Sequence, residues 1–226
     1  MAVDGAETEF GRPVVTVDVV IFTLGAAGLE VLVLQRDAEP QADRWALPGG
    51  FVHIDEDADL EAASRRVLTA KTGIATPYLE QLQAFGDPAR DPRGWSVSIG
   101  YMALLSHKAT APHPGRMAWI AADGATGLAF DHDRILAAAI MRLRNKVEYT
   151  TLPAHLLPDK FTLPDLQRVY ERILGRALDK SAFRKRIAEA DFLEPVPGEK
   201  RPASNRPAQL YRLKERATPI FFNRTL

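Results

Sequence analysis

The sequence predicts an α/β fold in two parts, an α/β/α sandwich followed by a small domain of helices and a hairpin. Residues 1–150 alternate short apolar strands with two amphipathic helices, an order typical of a mixed sheet covered by helices. Residues 151–160 contain two prolines and no periodicity, which predicts a linker. From Asp159 onward, 15 basic residues stand against nine acidic ones, so this part has a net charge of +6 and the remainder −6. Such asymmetry favours two domains with different partners, the alternative being chance variation between two solvated surfaces.

The bulk composition is that of an ordinary soluble globular protein, with 46% hydrophobic and 26% charged residues among 226. The chain has no cysteine, which excludes disulfides and thiolate metal sites and fits a reducing compartment. No apolar run approaches the roughly 18 residues of a membrane span, and the acidic N-terminus lacks the apolar core of a signal peptide. We therefore expect a cytoplasmic protein with no membrane contact.

The first part of the chain predicts a series of strands and a long second helix. The segment 13–23 is apolar and β-branched, as in a buried strand. Residues 29–36 alternate after a glycine-containing turn, so the two segments form a hairpin. Residues 130–149 carry six apolar residues at helical spacing. The remaining predicted strands are residues 78–87, 95–106 and 117–121.

The stretch between the hairpin and the later strands, Trp45 to Ile74, reads as strand, turn, helix and stop. Pro48, Gly49 and Gly50 form the turn. Acidic residues crowd the predicted helix N-terminus, where the macrodipole favours them, and Gly73 lies where a glycine ends a helix. The stretch resembles a Nudix box, whose pattern is G-x5-E-x7-R-E-U-x-E-E-x-G-U with U apolar. The matching residues are Gly50, Glu56, Arg66, Leu68, Gly73 and Ile74.

The resemblance breaks at the positions where Nudix hydrolases hold a divalent metal against a diphosphate. Val67, Ala70 and Lys71 replace the glutamates of the R-E-U-x-E-E motif, and two neutral residues and a cation cannot hold Mg²⁺, which prefers carboxylate oxygens. The box is also two residues longer than the pattern between its first glutamate and its glycine. The sequence therefore predicts no metal site, no catalytic residue and no enzyme. Glu56 and Glu61 are either remnants of a metal site or ordinary charges at a helix N-terminus.

Two further phrases, LAFDHDRIL and RDPRGWSVS, resemble the Nudix domains of ADP-ribose-handling proteins. This resemblance implies a domain that binds ADP-ribose or a related nucleotide as an effector, with no cofactor required. Arginines could clamp the diphosphate by bidentate bonds or be solvated, and Trp45, Phe51, Phe85 and Trp95 could stack an adenine or fill the core. His132 has no visible partner cluster and is expected to be structural. The predicted effector-binding residues are Arg36, Arg44, Trp45, Gly49, Gly50, Phe51 and Arg93.

The last part of the chain reads as helix, turn, helix and hairpin. Thr162 and Asp165 imitate a capping box, and a glycine ends the first helix. Asp179 or Ser181 caps the second helix, whose basic run 184–186 cannot point in one direction because successive helical positions lie about 100° apart. This order, on a segment of net charge +6, is the outline of a winged helix-turn-helix that reads the DNA major groove and grips phosphates with its wing. The predicted strands are residues 193–196 and 209–213, and the predicted DNA-binding residues are Lys180, Ser181, Arg184, Lys185, Arg201 and Arg206.

The phrases FTLPDLQRVYERILGRALDKSAFRKRI and RPAQLYRL also resemble the C-terminal domain of NrtR-type regulators, the Nudix-related transcriptional regulators of NAD metabolism. The resemblance implies domains at 1–150 and 161–226 joined by the linker 151–160. It also implies a ligand-responsive repressor that binds a palindromic DNA operator as a homodimer and is released by ADP-ribose. Two rivals remain open: an active ADP-ribose pyrophosphatase with an accessory basic domain, and a nucleotide-binding protein whose winged domain contacts a protein instead of DNA.

Overall fold

The computed structural model describes residues 12–26, 28–76, 78–106, 116–202, 207–214 and 219–222. The first part of the chain forms a seven-stranded sheet and two helices. These elements are β1 (Val14–Leu24), β2 (Leu29–Gln35), β3 (Trp45–Ala46), β4 (Gly49–Phe51), α1 (Leu60–Thr72), β5 (Leu79–Asp87), β6 (Ser96–Leu104), β7 (Met117–Ala121) and α2 (His132–Val147). The strand order is β3-β2-β1-β6-β5, with β4 beside β1 and β7 beside β2. No helix within the described ranges is long and apolar enough to cross a membrane.

The two helices cover opposite faces of this sheet. The central strand β1 supplies both cores because successive side chains of a strand point to opposite faces. Val17, Val19 and Ile21 pack in the core that contains α1, whereas Val20 and Phe22 pack in the core that contains α2. β1 pairs with β6 in parallel and with β2 and β4 in antiparallel fashion. This mixed sheet between two helix layers confirms the fold class predicted for the first part.

The helix that follows the glycine turn begins and ends as its sequence predicts. Asp59 caps α1 by accepting a hydrogen bond from the Ala62 N–H at 2.7 Å. Gly73 ends the helix in the left-handed conformation, with φ 69°, which glycine adopts without a Cβ clash. The two caps fix the extent of α1, which packs against β1 and β4.

The last part of the chain is a winged helix, as the sequence predicts. Thr162 and Asp165 form a complete capping box, and Asp179 rather than Ser181 caps the second helix. The first strand of the hairpin runs five residues beyond the predicted end, because pairing with β9 resumes at Lys200 and Arg201 after an irregularity that follows Pro195. The elements are α3 (Leu163–Leu174), α4 (Lys180–Ala190), β8 (Leu193–Arg201) and β9 (Ala208–Leu213).

Residues 151–160 do not form the exposed connection that their prolines suggest. They contain a 3-10 helix, Leu152–Leu156, in which every residue is buried. Leu152 and Leu156 belong to one apolar core that runs from the sheet through α2 into α3 and β9. The sequence misleads here because prolines remove periodicity without preventing burial. The exact domain boundaries stay a prediction.

A short C-terminal strap, residues 219–222, pairs with the chain next to this 3-10 helix. The Thr151 N–H donates to the Ile220 carbonyl at 2.9 Å, and the Phe222 N–H donates to the Tyr149 carbonyl at 2.8 Å. The Phe222 ring also stacks on a tyrosine of α3. The strap therefore adds to the junction between the two parts of the chain.

Candidate functional site

A cavity of about 430 Å³ opens beside the glycine turn. Its walls come from β1, the loop after β2, β4 and α1, together with residues 90–93 before β6 and residues 130–132 at the start of α2. The cavity thus lies against the segment that resembles the Nudix box, and segments distant in the sequence complete it.

Two glycines bring β4 close to its neighbours at the cavity wall. A Cβ on Gly49 would lie 1.9 Å from Asp18 Oδ1, and a Cβ on Gly50 would lie 3.0 Å from Val67 Cγ2. Gly49 therefore has no room for a side chain, and one at Gly50 would require Val67 to move. Both glycines line the cavity, so their absent side chains also keep the backbone accessible from it.

The floor of the cavity is a network of buried charges. Arg90 is 7% exposed and Asp18 is 5% exposed. The Arg90 guanidinium binds Asp131 at 2.9 Å, donates to Ser96 Oγ at 3.2 Å and lies 3.6 Å from Asp18. The Ser98 hydroxyl donates a hydrogen bond to Asp18. A buried charge of this kind is tolerated because it is paired and hydrogen-bonded.

His132 belongs to the same network. Its Nδ1 accepts a hydrogen bond from the Leu47 N–H at 2.9 Å, which assigns the proton of the neutral ring to Nε2. Nε2 faces Asp18 Oδ1 at 3.4 Å. The pKa of His132 is lowered because burial disfavours the charged ring more than Asp18 and Asp131 favour it. The ring is therefore neutral near pH 7 and holds the turn before β4 against β1.

This network joins the two phrases that resemble ADP-ribose-handling domains. Arg90 comes from RDPRGWSVS and Asp131 from LAFDHDRIL, 41 residues apart in the chain. The predicted site residues included neither of them, nor Asp18 or Phe130. The two phrases themselves are the sequence signal that could have identified Arg90 and Asp131, whereas Asp18 lies within an apolar strand as the one acidic residue among its neighbours.

Two arginines and two aromatic rings form one wall of the cavity. The Arg36 Cζ lies 4.7 Å from the centroid of the Phe130 ring. The Arg93 Cζ lies 5.2 Å from the Phe51 centroid and 6.0 Å from the Phe130 centroid. Arg93 also binds Asp91 at 2.7 Å and thereby lowers the pKa of that carboxyl. Two positive groups are thus fixed at one side of a concave site.

Five of the seven predicted effector-binding residues line this cavity and two do not. The five are Arg36, Gly49, Gly50, Phe51 and Arg93. Arg44 instead donates to the carbonyls of Gly127 and Leu128, at 2.8 and 3.2 Å. The Trp45 carbonyl accepts a hydrogen bond from the Ala129 N–H at 2.8 Å. Trp45 as a whole is 37% exposed. Arg44 and Trp45 thus hold the turn that precedes Phe130.

The residues at the glutamate positions of the Nudix pattern do not fit a divalent metal. Val67 packs beneath Gly50, and Ala70 and Lys71 line the cavity without offering a carboxylate. Arg66 of the same helix binds Asp57 at 2.7 Å, and this hydrogen bond lowers the pKa of Asp57 to about 2. In the described residues, no group of three or more histidine, cysteine, aspartate or glutamate side chains is arranged to hold a metal ion.

The predicted DNA-binding residues of α4 lie on its exposed side. Lys180, Ser181, Arg184 and Lys185 are exposed. Arg186 is half-buried, and its guanidinium lies 5.7 Å from the Phe222 centroid of the C-terminal strap. The three successive basic residues therefore diverge, as helical geometry requires.

The predicted wing residues are Arg201 and Arg206. Arg201 ends β8 and binds Asp165 of the α3 capping box at 2.6 Å. Arg206 lies outside the described residues. Whether either residue contacts DNA stays a prediction.

Comparisons with known proteins place both parts of the chain. The NUDIX domain model matches residues 12–139, and the model of the NrtR DNA-binding winged helix domain matches residues 153–213. The ADPR responsive transcriptional repressor NtrR of Acinetobacter baylyi is 44% identical over 211 residues, which are 91% of this chain and 84% of that protein. The crystal structure of Shewanella oneidensis NrtR complexed with a 27mer DNA is 39% identical with a TM-score of 0.86, over 94% of this chain and 99% of that one. The NUDIX domain of the same protein, complexed with ADP ribose, is 38% identical with a TM-score of 0.55, over 59% of this chain and 90% of that one. The chain therefore belongs to the NrtR family, in which a NUDIX domain precedes a DNA-binding winged helix domain.

Proposed function

We propose that this chain is a transcriptional repressor of genes of NAD metabolism and that ADP-ribose is its effector. The observation that carries the proposal is the presence, in one chain, of an arginine-lined cavity without the Nudix glutamates and a winged helix with exposed basic residues. The cavity suits an anionic nucleotide, and the helix suits DNA. Support comes from Shewanella oneidensis NrtR, which is crystallised with a 27mer DNA and, as its NUDIX domain, with ADP ribose.

The cavity suits ADP-ribose in size and in charge. Its volume of about 430 Å³ lies within the ~300–1,000 Å³ of small-molecule sites. Arg36 and Arg93 present guanidinium groups, which bind phosphate oxygens bidentately. Gly49 and Gly50 give the ligand access to backbone, and Phe51 supports Arg93. Arg44 and Trp45 act indirectly, through the turn that precedes Phe130.

The same cavity should bind ADP-ribose without hydrolysing it at an ordinary enzymatic rate. Nudix chemistry requires metal ions held by helix glutamates, and Val67, Ala70 and Lys71 cannot supply them. Lys71 instead brings a positive charge to the cavity lining, which favours binding of a phosphate but provides no activated water. No cofactor is required for such binding.

The winged helix should place α4 in the major groove of double-stranded DNA. Lys180, Ser181, Arg184 and Lys185 are on the exposed side of α4 near its N-terminal end, where recognition helices contact base edges. Arg201 and Arg206 of the wing would contact phosphates. A homodimer would match a palindromic operator, and a DNA-binding regulator of this kind would act in the cytoplasm.

A route between the two sites runs through contacts at the junction. Arg172 of α3 donates to the Gly25 carbonyl at 2.9 Å and to the Ala26 carbonyl, both in the turn between β1 and β2. The Tyr170 hydroxyl donates to the Thr150 carbonyl at 2.8 Å. β1 and β2 also lead to the cavity, where Asp18 and Arg36 lie. For ADP-ribose to release DNA, it must bind better to the arrangement of the two domains that does not hold the operator.

The test combines DNA binding and ligand response in one titration. A fluorescent duplex from the region upstream of the chain's own locus is titrated with the full chain, with and without ADP-ribose, and the anisotropy is measured at several salt concentrations. We expect salt-dependent binding that ADP-ribose reverses. In parallel, AMP release from ADP-ribose is measured with Mg²⁺ or Mn²⁺.

Three outcomes would overturn the proposal. DNA binding that shows no salt dependence, or no DNA binding at all, would favour a winged domain that contacts a protein. Turnover of ADP-ribose at ~1 s⁻¹ or faster would place the chain among ordinary enzymes.

A further inference from the structure

Phe130 stands in the cavity wall with an unusual backbone conformation. Its φ angle is +53°, in the left-handed region that bulky residues rarely adopt. Glycine occupies this region without strain, yet the chain has a phenylalanine here. Strain of this kind persists where the surrounding structure fixes the residue, and it concentrates at functional sites.

Contacts on both sides hold this conformation. The Phe130 N–H donates to Gln41 Oε1 at 3.0 Å. The preceding Ala129 is bound through its N–H to the Trp45 carbonyl at 2.8 Å, and the following Asp131 is bound to Arg90 at 2.9 Å. The residue therefore has little freedom to relax, and its ring position is set by the neighbouring hydrogen bonds.

Both arginines of the cavity lie near the Phe130 ring. Arg36 is 4.7 Å and Arg93 is 6.0 Å from its centroid, distances at which a guanidinium is attracted to an aromatic face. Arg36 directs Nε and one Nη2 hydrogen to the carbonyls of Pro40 and Ala38. Arg93 directs Nε and Nη2 to Asp91. Because a guanidinium has five N–H groups, each arginine retains donors for an anion.

We propose that Phe130 is a positioning residue of the effector site, which holds Arg36 and Arg93 as a pair for the diphosphate of the ligand, and that Gln41 fixes Phe130. The inference rests on the proposed binding of ADP-ribose. Beyond that binding, selection of a nucleotide that carries a diphosphate depends on the Phe130 ring. The ring acts by holding the two arginines in place. The ring contributes to affinity through charge placement, so its effect is sensitive to ionic strength.

The experiment is calorimetric titration of the full chain with ADP-ribose at low and at high salt. Phe130→Leu keeps an apolar side chain of similar volume but removes the aromatic face. We expect it to weaken binding about tenfold at low salt and much less at high salt, where the arginine contribution is screened. Phe130→Tyr retains the face and should bind as the wild type does.

Two further variants separate positioning from folding. Gln41→Ala keeps the aromatic side chain at position 130 but removes the acceptor of the Phe130 N–H, so the ring is held less firmly and the variant should show a smaller loss with the same salt dependence. Trp95→Leu removes a half-exposed ring outside the cavity and should leave affinity unchanged. Thermal unfolding of each variant shows whether the fold is retained.

The outcomes distinguish this inference from the proposed function. Absence of saturable ADP-ribose binding by the wild type overturns both. Wild-type binding that Phe130→Leu leaves unchanged overturns the inference alone. An equal loss at both salt concentrations also overturns it, because it would show that the ring stacks on the ligand directly.

Discussion

The floor of the cavity and the face of α4 use positive charge in opposite ways. At the floor, Arg90 is buried between Asp18 and Asp131. On α4, Arg184 is exposed, and Lys185 reaches its helix neighbour Glu189 only at 3.9 Å. A buried pair is held in one geometry because separating it leaves a charge without solvation. An exposed arginine can adapt to a phosphate backbone or a base edge. The cavity floor is therefore held in one arrangement before any partner binds, whereas the exposed face of α4 is free to adapt to one.

The largest expected effect comes from breaking the buried network. Arg90→Met leaves Asp131 and Asp18 buried without their shared cation, and removing one partner of a buried pair costs about 3–5 kcal/mol. We expect this loss in the free energy of unfolding, measured by urea denaturation followed by circular dichroism. Binding of ADP-ribose in the cavity should be lost as well, since Arg90 connects Ser96 of β6 with Asp131, which precedes α2.

The matched control is an exposed arginine–aspartate pair of the same domain. Arg134 binds Asp87 at 3.2 Å, with side chains 65% and 37% exposed. Arg134→Met should cost no more than about 1 kcal/mol, the usual contribution of a surface pair. If the two variants lose equal stability, burial does not distinguish the cavity floor from the surface and the comparison fails.

The next largest effect is expected in operator affinity when the exposed Arg184 of α4 is replaced. Arg184→Ala should weaken operator binding by about 1–3 kcal/mol, which is the free energy that one bidentate contact to a base edge contributes. It should also relax sequence preference at one position per half-site. Fluorescence anisotropy with operator and scrambled duplexes measures both effects. Arg186, two positions along the same helix, lies over the Phe222 ring, so Arg186→Ala should reduce the stability of the winged domain more than its sequence preference. Unchanged operator affinity in Arg184→Ala would show that α4 is not the recognition helix.

Local signals in the sequence were sufficient to predict most of the fold. The capping residue Asp59 and the terminal Gly73 mark α1, and the capping box of Thr162 and Asp165 marks α3. These signals predict helix ends because the unpaired backbone N–H and C=O groups there are hydrogen-bonded by residues only a few positions away in the sequence. The 3-10 helix at 152–156 escaped prediction because its burial depends on partners in α2, α3 and the sheet.

The candidate site was less predictable because it depends on pairs distant in the chain. Arg36 and Arg44 lie in one loop with similar surroundings in sequence, yet Arg36 faces the cavity and Arg44 binds the carbonyls of Gly127 and Leu128. The side chains that meet at the cavity floor come from β1, from the loop before β6 and from the start of α2. No local sequence pattern predicts that Asp18, Arg90 and Asp131 will pair.

A smaller effect should appear in the pH dependence of stability. The pKa of His132 is lowered by burial, so the unfolded chain binds a proton near pH 6.5 that the folded chain does not. Stability is therefore full above pH 6.5 and falls below it, by up to about 1.4 kcal/mol per pH unit until the folded pKa is reached. His132→Gln should remove this part of the slope between pH 6.5 and 5, measured by urea denaturation. Asp57 and Asp91, whose pKa values are lowered, titrate below this window. An unchanged slope would show that the folded ring takes up a proton as readily as the unfolded one.

The smallest expected effect concerns Arg201. Its surroundings are intermediate between those of the buried, paired Arg90 and those of the exposed Arg184. It is 47% exposed, as a phosphate-binding residue should be, yet it binds Asp165, which is only 12% exposed. To reach a phosphate, its guanidinium must leave or share this carboxylate, so the net gain is a difference between two similar interactions. Arg201→Ala should therefore weaken operator and scrambled duplex alike by less than about 1 kcal/mol, and it should reduce the slope of log affinity against log salt by about one unit. Lys160→Ala removes a comparable exposed cation bound to Glu199 at 2.6 Å and serves as the control, with no change expected in the salt slope. If Arg201→Ala leaves the slope unchanged, the arginine stays with Asp165 in the DNA complex, and the wing acts through other residues.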